Sequence, residues 1–244
     1  GLPVANDQMK LADLIDRQIR ENGPMSIATY MGLALTHPRE GYYTGADPLG
    51  AKGDFVTAPE ISQMFGELIG LWAVEVWRGM GAPSPFILAE AGPGDGTLMA
   101  DLLRAARLDA GFIAAAELWL IETSAPLRAR QAARLAGTPL KPRWADSLDA
   151  LPAGPLILVA NELLDCLPAR QFVRTPQGWA ERRVGLSEEG GLAFGLTPAL
   201  QPGLPDNAPI GQVLEISAAQ ANFGAAMGRR IARDGGAALL IDYG

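Results

Sequence analysis

The stretch FILAEAGPGDGTL, residues 86–98, decides the fold. Its first four residues are apolar, which predicts a buried strand of a parallel sheet. Gly92, Gly94 and Gly96 then alternate through a turn, and glycine lets the backbone adopt positive φ and approach a ligand closely. From Thr97 onward, leucines and alanines recur at helical spacing. The stretch therefore predicts a strand, a glycine-rich turn and a helix whose first N–H groups face whatever the turn holds.

The glycines follow an acidic residue, Glu90, at alternate positions. The fingerprint of dinucleotide-binding sites is G-x-G-x-x-G, so this spacing disfavours an NAD-dependent dehydrogenase. The order resembles the first motif of class I S-adenosylmethionine (SAM) methyltransferases. That resemblance implies that Glu90 lies near the methionine end of the cofactor and that the glycines pass under its ribose. The alternative is a glycine-rich turn that binds no ligand.

The composition excludes several classes of protein. With 244 residues, of which 48% are hydrophobic, the chain can form one large domain or a domain with a cap. Its net charge of −7 argues against nucleic acid as the main partner, because phosphate neutralisation requires a basic surface. With only Cys166 and His37, a disulfide framework and a Cys/His zinc site are excluded within one chain, and no metal is expected. No run of about 18 apolar residues occurs, so we expect a soluble, intracellular protein without membrane insertion.

Acidic residues follow the next two predicted strands. The second strand, residues 118–122, ends in Glu122, whose carboxylate can accept hydrogen bonds from two ribose hydroxyls. The interpretation without a ligand is a solvated strand end. A weaker third strand at 142–144 precedes Asp146. In class I methyltransferases an acid at this place often holds the adenine amino group, but Asp146 is equally suited to cap a short helix.

The fourth predicted strand, residues 156–160, leads directly into Asn161, Glu162 and Asp165. Open α/β sheets bind substrates beyond the carboxyl ends of their strands, so these side chains are candidates for the transfer site. The alternative is that Asn161 caps a helix and that the two acids favour its dipole. Both interpretations can hold at once. A fifth strand is predicted near the end of the chain, at 237–242.

Serine residues predict where three helices begin, because a serine side chain can accept a hydrogen bond from the first helical turn. These residues are Ser26, Ser124 and Ser217. The helix after Ser124 should turn Leu127, Ala132 and Leu135 inward.

Residues 1–80 are expected to form a helical segment followed by a substrate or cofactor loop. The helical segment is interpreted as a cap, with a dimer element as the alternative. Residues 81–244 should form the Rossmann-like domain. Gly turns between short β segments predict a β-rich insertion at about 169–210, over the site.

Four longer motifs resemble the signatures of one family, the mitochondrial complex I assembly methyltransferases and their bacterial relatives, formerly domain of unknown function 185. The resemblance extends over almost the whole chain. The motifs are GDFVTAPEISQMFGE at 53–67, EAGPGDGTL at 90–98, ANELLDCLP at 160–168 and LIDYG at 240–244.

The resemblance implies an α/β, Rossmann-like class I methyltransferase fold with SAM as cofactor. Asp54 is interpreted as a loop residue that shapes the cofactor lid, with a direct role in the chemistry as the alternative. The resemblance also implies a protein arginine methyltransferase that gives symmetric dimethylarginine on a subunit of respiratory complex I, or on an equivalent bacterial protein. The compartment is then the mitochondrial matrix in a eukaryote and the cytoplasm in a bacterium. A class I sheet has seven strands and the family continues past Asp-Tyr-Gly, so we expect this chain to be truncated after its fifth strand.

The guanidinium group of an arginine substrate has a pKa above ~12 and stays protonated. A site that methylates it therefore needs carboxylates, which bind its N–H groups through paired hydrogen bonds and accept the proton that it loses. Glu162 and Asp165, with Asn161, are the candidate catalytic residues. Two alternatives stay open: a SAM methyltransferase acting on another amine or small molecule, and a non-catalytic assembly factor. Intact Glu90 and Glu122 argue against the assembly factor. The partner is expected to be a protein substrate, with a homodimer as a further possibility.

Overall fold

A computed structural model describes residues 9–42 and 62–243. They fall into two compact units, one made of residues 62–166 and 222–243 and the other of residues 9–42 and 167–221.

The first unit, residues 62–166 and 222–243, contains a parallel sheet of five strands. Strand β2 (Phe86–Ala91) is buried along its whole length, because hydrophobic clusters lie on both faces of the sheet. The five strands predicted from the sequence are all present, and the predicted Rossmann-like α/β fold is confirmed. In spatial order the strands are β10 (Gly236–Ile241), β5 (Leu156–Asn161), β2 (Phe86–Ala91), β3 (Ala116–Ile121) and β4 (Arg143–Ala145).

One face of the sheet carries an aromatic cluster under three helices. The ring of Phe112 lies 5.0 Å from that of Phe86 and 5.7 Å from that of Trp77, centroid to centroid. Two glycines four residues apart let the first helix approach the second, since a Cβ on Gly66 would come within 2.6 Å of the Cβ of Asp101. The three helices are α3 (Gln63–Gly79), α4 (Thr97–Ala106) and α5 (Ala110–Ala115).

The remaining helices of this unit begin as their serines predict. Ser124 precedes α6 (Ala125–Leu135), and its Oγ accepts from the N–H of Leu127 at 3.5 Å. Ser217 precedes α7 (Ala218–Asp234), which packs Phe223 and Met227 against the second face of the sheet. A 3₁₀ turn at Leu148–Ala150 packs against the same face.

The second unit, residues 9–42 and 167–221, is an antiparallel sheet covered by two helices. Ile15 and Ile19 of the first helix and Ile27 of the second pack against Val184 of the sheet. Ser26 caps the second helix as predicted, accepting from the N–H of Thr29 at 3.0 Å. The helices are α1 (Leu11–Asn22) and α2 (Ile27–Thr36); the strands are β1 (Met25–Ser26), β6 (Arg170–Thr175), β7 (Gly178–Leu186), β8 (Leu192–Gln201) and β9 (Val213–Ile216).

The units depart from the domain boundary expected at residue 80. Helix α3 belongs to the unit of the parallel sheet, because its glycine face packs tightly on α4. Residues 9–42 instead form one unit with the β-rich segment, whose last strand, β9, ends at Ile216 rather than near 210. Helical spacing and capping serines predict helices but cannot say which sheet each one covers.

Candidate active site

The predicted site residues follow neighbouring strands at one edge of the parallel sheet. In register, Ala91 of β2 lies opposite Ile121 of β3 and Ala160 of β5, and Ile121 lies opposite Ala145 of β4. The four strands therefore end in step. The residues after their carboxyl ends meet at this edge, which is the position where open α/β sheets bind ligands. The glycine turn, Glu122, Asp146 and Asn161 with Glu162 all lie there.

Glu90 is a buried carboxylate at the end of β2. Its side chain is 2% exposed, and no described residue donates a hydrogen bond to its Oε2. Burial, with a smaller contribution from the negative charge of Asp95, raises the pKa of Glu90 to about 8. A buried carboxylate without a donor is costly, so this oxygen is suited to a cationic or N–H group supplied by a ligand.

The three glycines adopt the backbone predicted for them. Their φ angles are +67° at Gly92, +55° at Gly94 and +88° at Gly96. A Cβ on Gly92 would lie 2.9 Å from the side chain of Leu163, and one on Gly96 would lie 3.4 Å from the Cα of Gln131. The turn thus needs glycine both for its backbone and for the closeness of its neighbours.

Asp95 changes the expectation that the first N–H groups of helix α4 stay free for a ligand. Its Oδ1 accepts from the N–H of Thr97 at 3.0 Å and from the Thr97 hydroxyl at 2.7 Å. Its Oδ2 is paired with the guanidinium of Arg134. At least the first of these donors is therefore already satisfied within the protein.

Glu122 directly follows β3, and within the described part of the chain one donor holds each of its carboxylate oxygens. Oε1 accepts from the N–H of Ser124 at 2.8 Å, and Oε2 accepts from Nε2 of Gln131 at 3.4 Å. Each oxygen keeps a further lone pair, which suits the predicted contact with two ribose hydroxyls. That contact stays a prediction.

Gln131 was not among the residues singled out from the sequence. It is completely buried in α6, whereas Ala132, which we expected to face inward, is exposed. Glutamine is usually a surface residue, so the residue type gave no reason to expect Gln131 in the core. The spacing was informative, since Gln131 lies four residues from both Leu127 and Leu135 on the inward face.

Asp146 follows β4 and lies at the predicted edge, but it is exposed. Its carboxylate pairs with Nη2 of Arg128 at 2.6 Å. The same arginine also donates from Nε to the carbonyl of Glu122 at 2.7 Å. The short 3₁₀ turn that follows is preceded by Ser147, so capping by Asp146 is not the arrangement found. The contact with an adenine amino group stays a prediction.

The segment after β5 is a loop of bends and turns, so the alternative that Asn161 caps a helix is wrong. Asn161 is the last residue of β5, and its Oδ1 is buried with no hydrogen-bond partner among the described residues. Glu162 has a φ of +50°, which is unusual for a residue with a side chain. Its backbone N–H donates to the carbonyl of Ile241 at 2.8 Å, which ties the loop to β10.

Two residues of the closing motif hold this loop. Oδ2 of Asp242 accepts from the N–H groups of Leu164, at 2.7 Å, and Asp165, at 3.1 Å. The interaction of the exposed Tyr243 side chain with the Glu162 carboxylate is the largest cause of the raised pKa of Tyr243. The motif was recognised in the sequence, but these two contacts span more than 75 residues and no local pattern reveals them.

Substituting Asp242 with asparagine should loosen this loop. The amide keeps one acceptor but loses the charge that strengthens both bonds, so we expect a loss of about 1–3 kcal/mol in the free energy of unfolding. Urea unfolding measures it, and hydrogen exchange at the amides of Leu164 and Asp165 should accelerate. Asp149→Asn, a change at an exposed position, serves as the control. Unchanged exchange at both amides would show that Asp242 does not hold the loop.

Asp54, the other predicted cofactor residue, lies outside the described residues. Within residues 9–42 and 62–243, no group of three or more His, Cys, Asp and Glu side chains is arranged to hold a metal ion. Over the same ranges, no helix has the length and apolar character needed to cross a bilayer.

Comparison with known proteins identifies the family. Residues 68–244 match the family described as "Putative S-adenosyl-L-methionine-dependent methyltransferase". Among curated proteins, the chain is 35% identical to the protein arginine methyltransferase NDUFAF7, mitochondrial, of Homo sapiens, over 99% of this chain and 61% of the human protein. It is 36% identical to the protein of the same name from Danio rerio, over 93% of this chain and 60% of the fish protein. The chain thus spans about three fifths of the length of these relatives.

A solved structure shares the fold. A superfamily member from Burkholderia thailandensis, crystallised with S-adenosyl-homocysteine, superposes with a TM-score of 0.78 at 29% identity, over 100% of this chain and 66% of that one. A second crystal structure from the same organism gives a TM-score of 0.76 at 30% identity. The chain belongs to this family of SAM-dependent methyltransferases, and the family resemblance stated from the sequence is confirmed.

Proposed function

We propose that this protein is a SAM-dependent protein arginine methyltransferase. The observation that carries the proposal is Glu90, a buried carboxylate beside the glycine turn with an oxygen that no described residue satisfies. Such a group is stabilised by a cation, and the ammonium at the methionine end of SAM is one. The match to a family of SAM-dependent methyltransferases points to the same ligand.

The remaining predicted residues fit the rest of that cofactor. Glu122 offers two oriented carboxylate oxygens to the ribose. The positive φ angles of the turn favour glycine, and because glycine has no side chain the ribose can approach the backbone closely. Asp146 is the candidate for the adenine amino group and Asp54 for the lid. When bound, SAM supplies a methyl group on a sulfonium, which is the electrophile of the reaction.

The loop after β5 supplies the groups that an arginine substrate needs. Glu162 and Asp165 provide carboxylates within four residues of each other, and carboxylates bind a guanidinium fork through paired hydrogen bonds. Glu162 accepts the proton that the guanidinium nitrogen loses as it gains the methyl group. The buried Oδ1 of Asn161 can accept from the same nitrogen and fix its direction.

The names of the relatives support a protein substrate and a mitochondrial setting for those proteins. For this chain we propose a subunit of respiratory complex I, or its bacterial equivalent, as the acceptor. The protein would then act in the mitochondrial matrix of a eukaryote or in the cytoplasm of a bacterium. A methyltransferase for another amine is the second candidate, because the amide oxygen of Asn161, for which no described residue is a partner, suits any amino nitrogen.

Cofactor binding is tested by titrating the protein with S-adenosylhomocysteine in a calorimeter. In Gly96→Ala, a left-handed backbone at φ +88° must accept a side chain 3.4 Å from the Cα of Gln131. The free turn relieves this strain of about 1–2 kcal/mol by shifting, and the cofactor must restore the original backbone on binding, so we expect binding weaker by about tenfold. The matched control is Gly137→Ala, where nothing lies within 4 Å of the added Cβ. Equal affinities in the two variants, or no binding by the unchanged protein, would contradict the proposed cofactor site.

The substrate is tested by incubating the protein with methyl-labelled SAM and purified respiratory subunits. Label recovered as symmetric dimethylarginine by mass spectrometry supports the proposal. Label on another amine favours the second candidate. Tight binding of S-adenosylhomocysteine with no transfer to any subunit would support an assembly factor instead.

A further inference from the structure

We propose that Gln131 is a positioning residue that fixes Glu122 against the glycine turn and thereby sets the affinity for the ribose of the cofactor. The inference rests on the proposed cofactor site and adds a residue to it. Gln131 belongs to helix α6 and to none of the sequence motifs that identify the family.

The side-chain amide of Gln131 joins three separate segments. Its Nε2 donates to the carbonyl of Gly94 at 2.7 Å and to Oε2 of Glu122 at 3.4 Å. Its Oε1 accepts from the indole Nε1 of Trp144 at 2.8 Å. An indole N–H can only donate, so the oxygen of the amide must face Trp144 and its nitrogen must face the site. The orientation of the amide is therefore chemically determined.

This arrangement controls the direction of the Glu122 carboxylate. The N–H of Ser124 holds one oxygen at 2.8 Å, and Gln131 provides the donor at the other. Without Gln131 the carboxylate could rotate about the bond to Ser124, and its two oxygens would no longer match two neighbouring ribose hydroxyls. The 2.7 Å bond to Gly94 makes the same amide set the spacing between the turn and Glu122.

Burial supports a specific role for this amide. Gln131 has no exposed surface, and an amide placed in a core is tolerated only when its hydrogen bonds are made. An apolar side chain would fill the same space without that requirement, as Leu127 and Leu135 do on the same face of α6. Helix α6 and the glycine turn are also closely packed, because the Cα of Gln131 would lie 3.4 Å from a Cβ added to Gly96.

The test is a double-mutant cycle on the dissociation constant of S-adenosylhomocysteine, measured by calorimetry. Gln131→Met keeps the volume but removes both donors, and we expect it to weaken binding about tenfold when Glu122 is present. In the Glu122→Ala background, the same change should alter the dissociation constant by less than twofold, because Gln131 acts through that carboxylate. A residue that only stabilises the fold would give independent, multiplying effects.

Two further variants keep the result interpretable. Leu135→Val lowers stability from the same face of α6 and should leave the dissociation constant within twofold. Gln131→Asn keeps a neutral amide but is one methylene shorter, so its donor no longer reaches both Gly94 and Glu122, and binding should weaken in the same direction as in Gln131→Met; this variant decides the matter if Gln131→Met does not fold. Unchanged affinity, or multiplying effects in the cycle, would overturn the role of Gln131. Absence of binding in the unchanged protein would instead overturn the proposed function.

Discussion

Substituting Glu162 with glutamine is expected to lower the rate of methyl transfer about 1,000-fold, while the affinity for S-adenosylhomocysteine stays within about twofold. The glutamine side chain has the same size, and it must adopt the same φ of +50°, so the loop should keep its conformation. What is lost is the negative charge. A neutral amide can neither hold a guanidinium as an ion pair nor accept its proton, and general-base catalysis alone contributes about 10²–10⁴-fold.

The measurement is the initial rate of methyl incorporation into an arginine-containing protein substrate, with the affinity for S-adenosylhomocysteine determined in parallel. Glu188→Gln, a change at an exposed turn residue, is the control for the loss of one acidic group. Asp165→Asn should cost less than Glu162→Gln, because the side chain of Asp165 is exposed and contacts the thiol of Cys166 at 3.3 Å. A Glu162→Gln variant with full activity would remove Glu162 from the mechanism and favour Asp165 or a residue outside the described part of the chain.

The sequence predicted those parts of this site that depend on local pattern. The apolar run before Glu90, the alternating glycines and the acids after the second and third strands each occupy a few consecutive residues, and the strand order then brings them to one edge. Short apolar runs predicted the strands for the same reason, although the third run was weak.

The missed features all depend on contacts between distant segments. Gln131 becomes significant only when Gly94, Glu122 and Trp144 surround it. Asp242 holds the loop after β5 from 77 and 78 positions away, and without that contact the residues after Asn161 read as the start of a helix. The grouping of residues 9–42 with 167–221 likewise follows from packing, which no single segment encodes.

Binding of S-adenosylhomocysteine should strengthen about tenfold for each pH unit between pH 6 and 8, because the pKa of Glu90 is raised to about 8 in the unliganded protein. Below that pH the buried carboxyl carries a proton. A ligand ammonium favours the carboxylate, so binding requires the proton to leave, and each unit of rising pH makes that release easier. The dependence should vanish above about pH 8, where the carboxylate already exists.

The same shift has the opposite consequence for the stability of the unliganded protein. The pKa of Glu90 in the fold, about 8, exceeds the ordinary value of 4.5 that applies to the unfolded chain. Protonated Glu90 therefore contributes stability that is complete below about pH 4.5 and is lost as pH rises toward 8. Each pKa unit corresponds to about 1.4 kcal/mol, so the loss is of the order of several kcal/mol.

One variant tests both halves of this argument. Glu90→Gln cannot ionise, so its melting temperature without ligand should exceed that of the unchanged protein at pH 8 and approach it at pH 5. Its affinity for S-adenosylhomocysteine should be weak and independent of pH, because a neutral amide gives the ligand ammonium no counter-charge. Glu117→Gln, at a partly exposed position on β3 that pairs with Arg143, is the matched control and should retain the pH dependence of binding. Affinity that is flat from pH 6 to 8 in the unchanged protein would mean that Glu90 does not meet the ammonium. The raised pKa would then reflect burial alone, and the counter-charge for the methionine end would have to come from another acid.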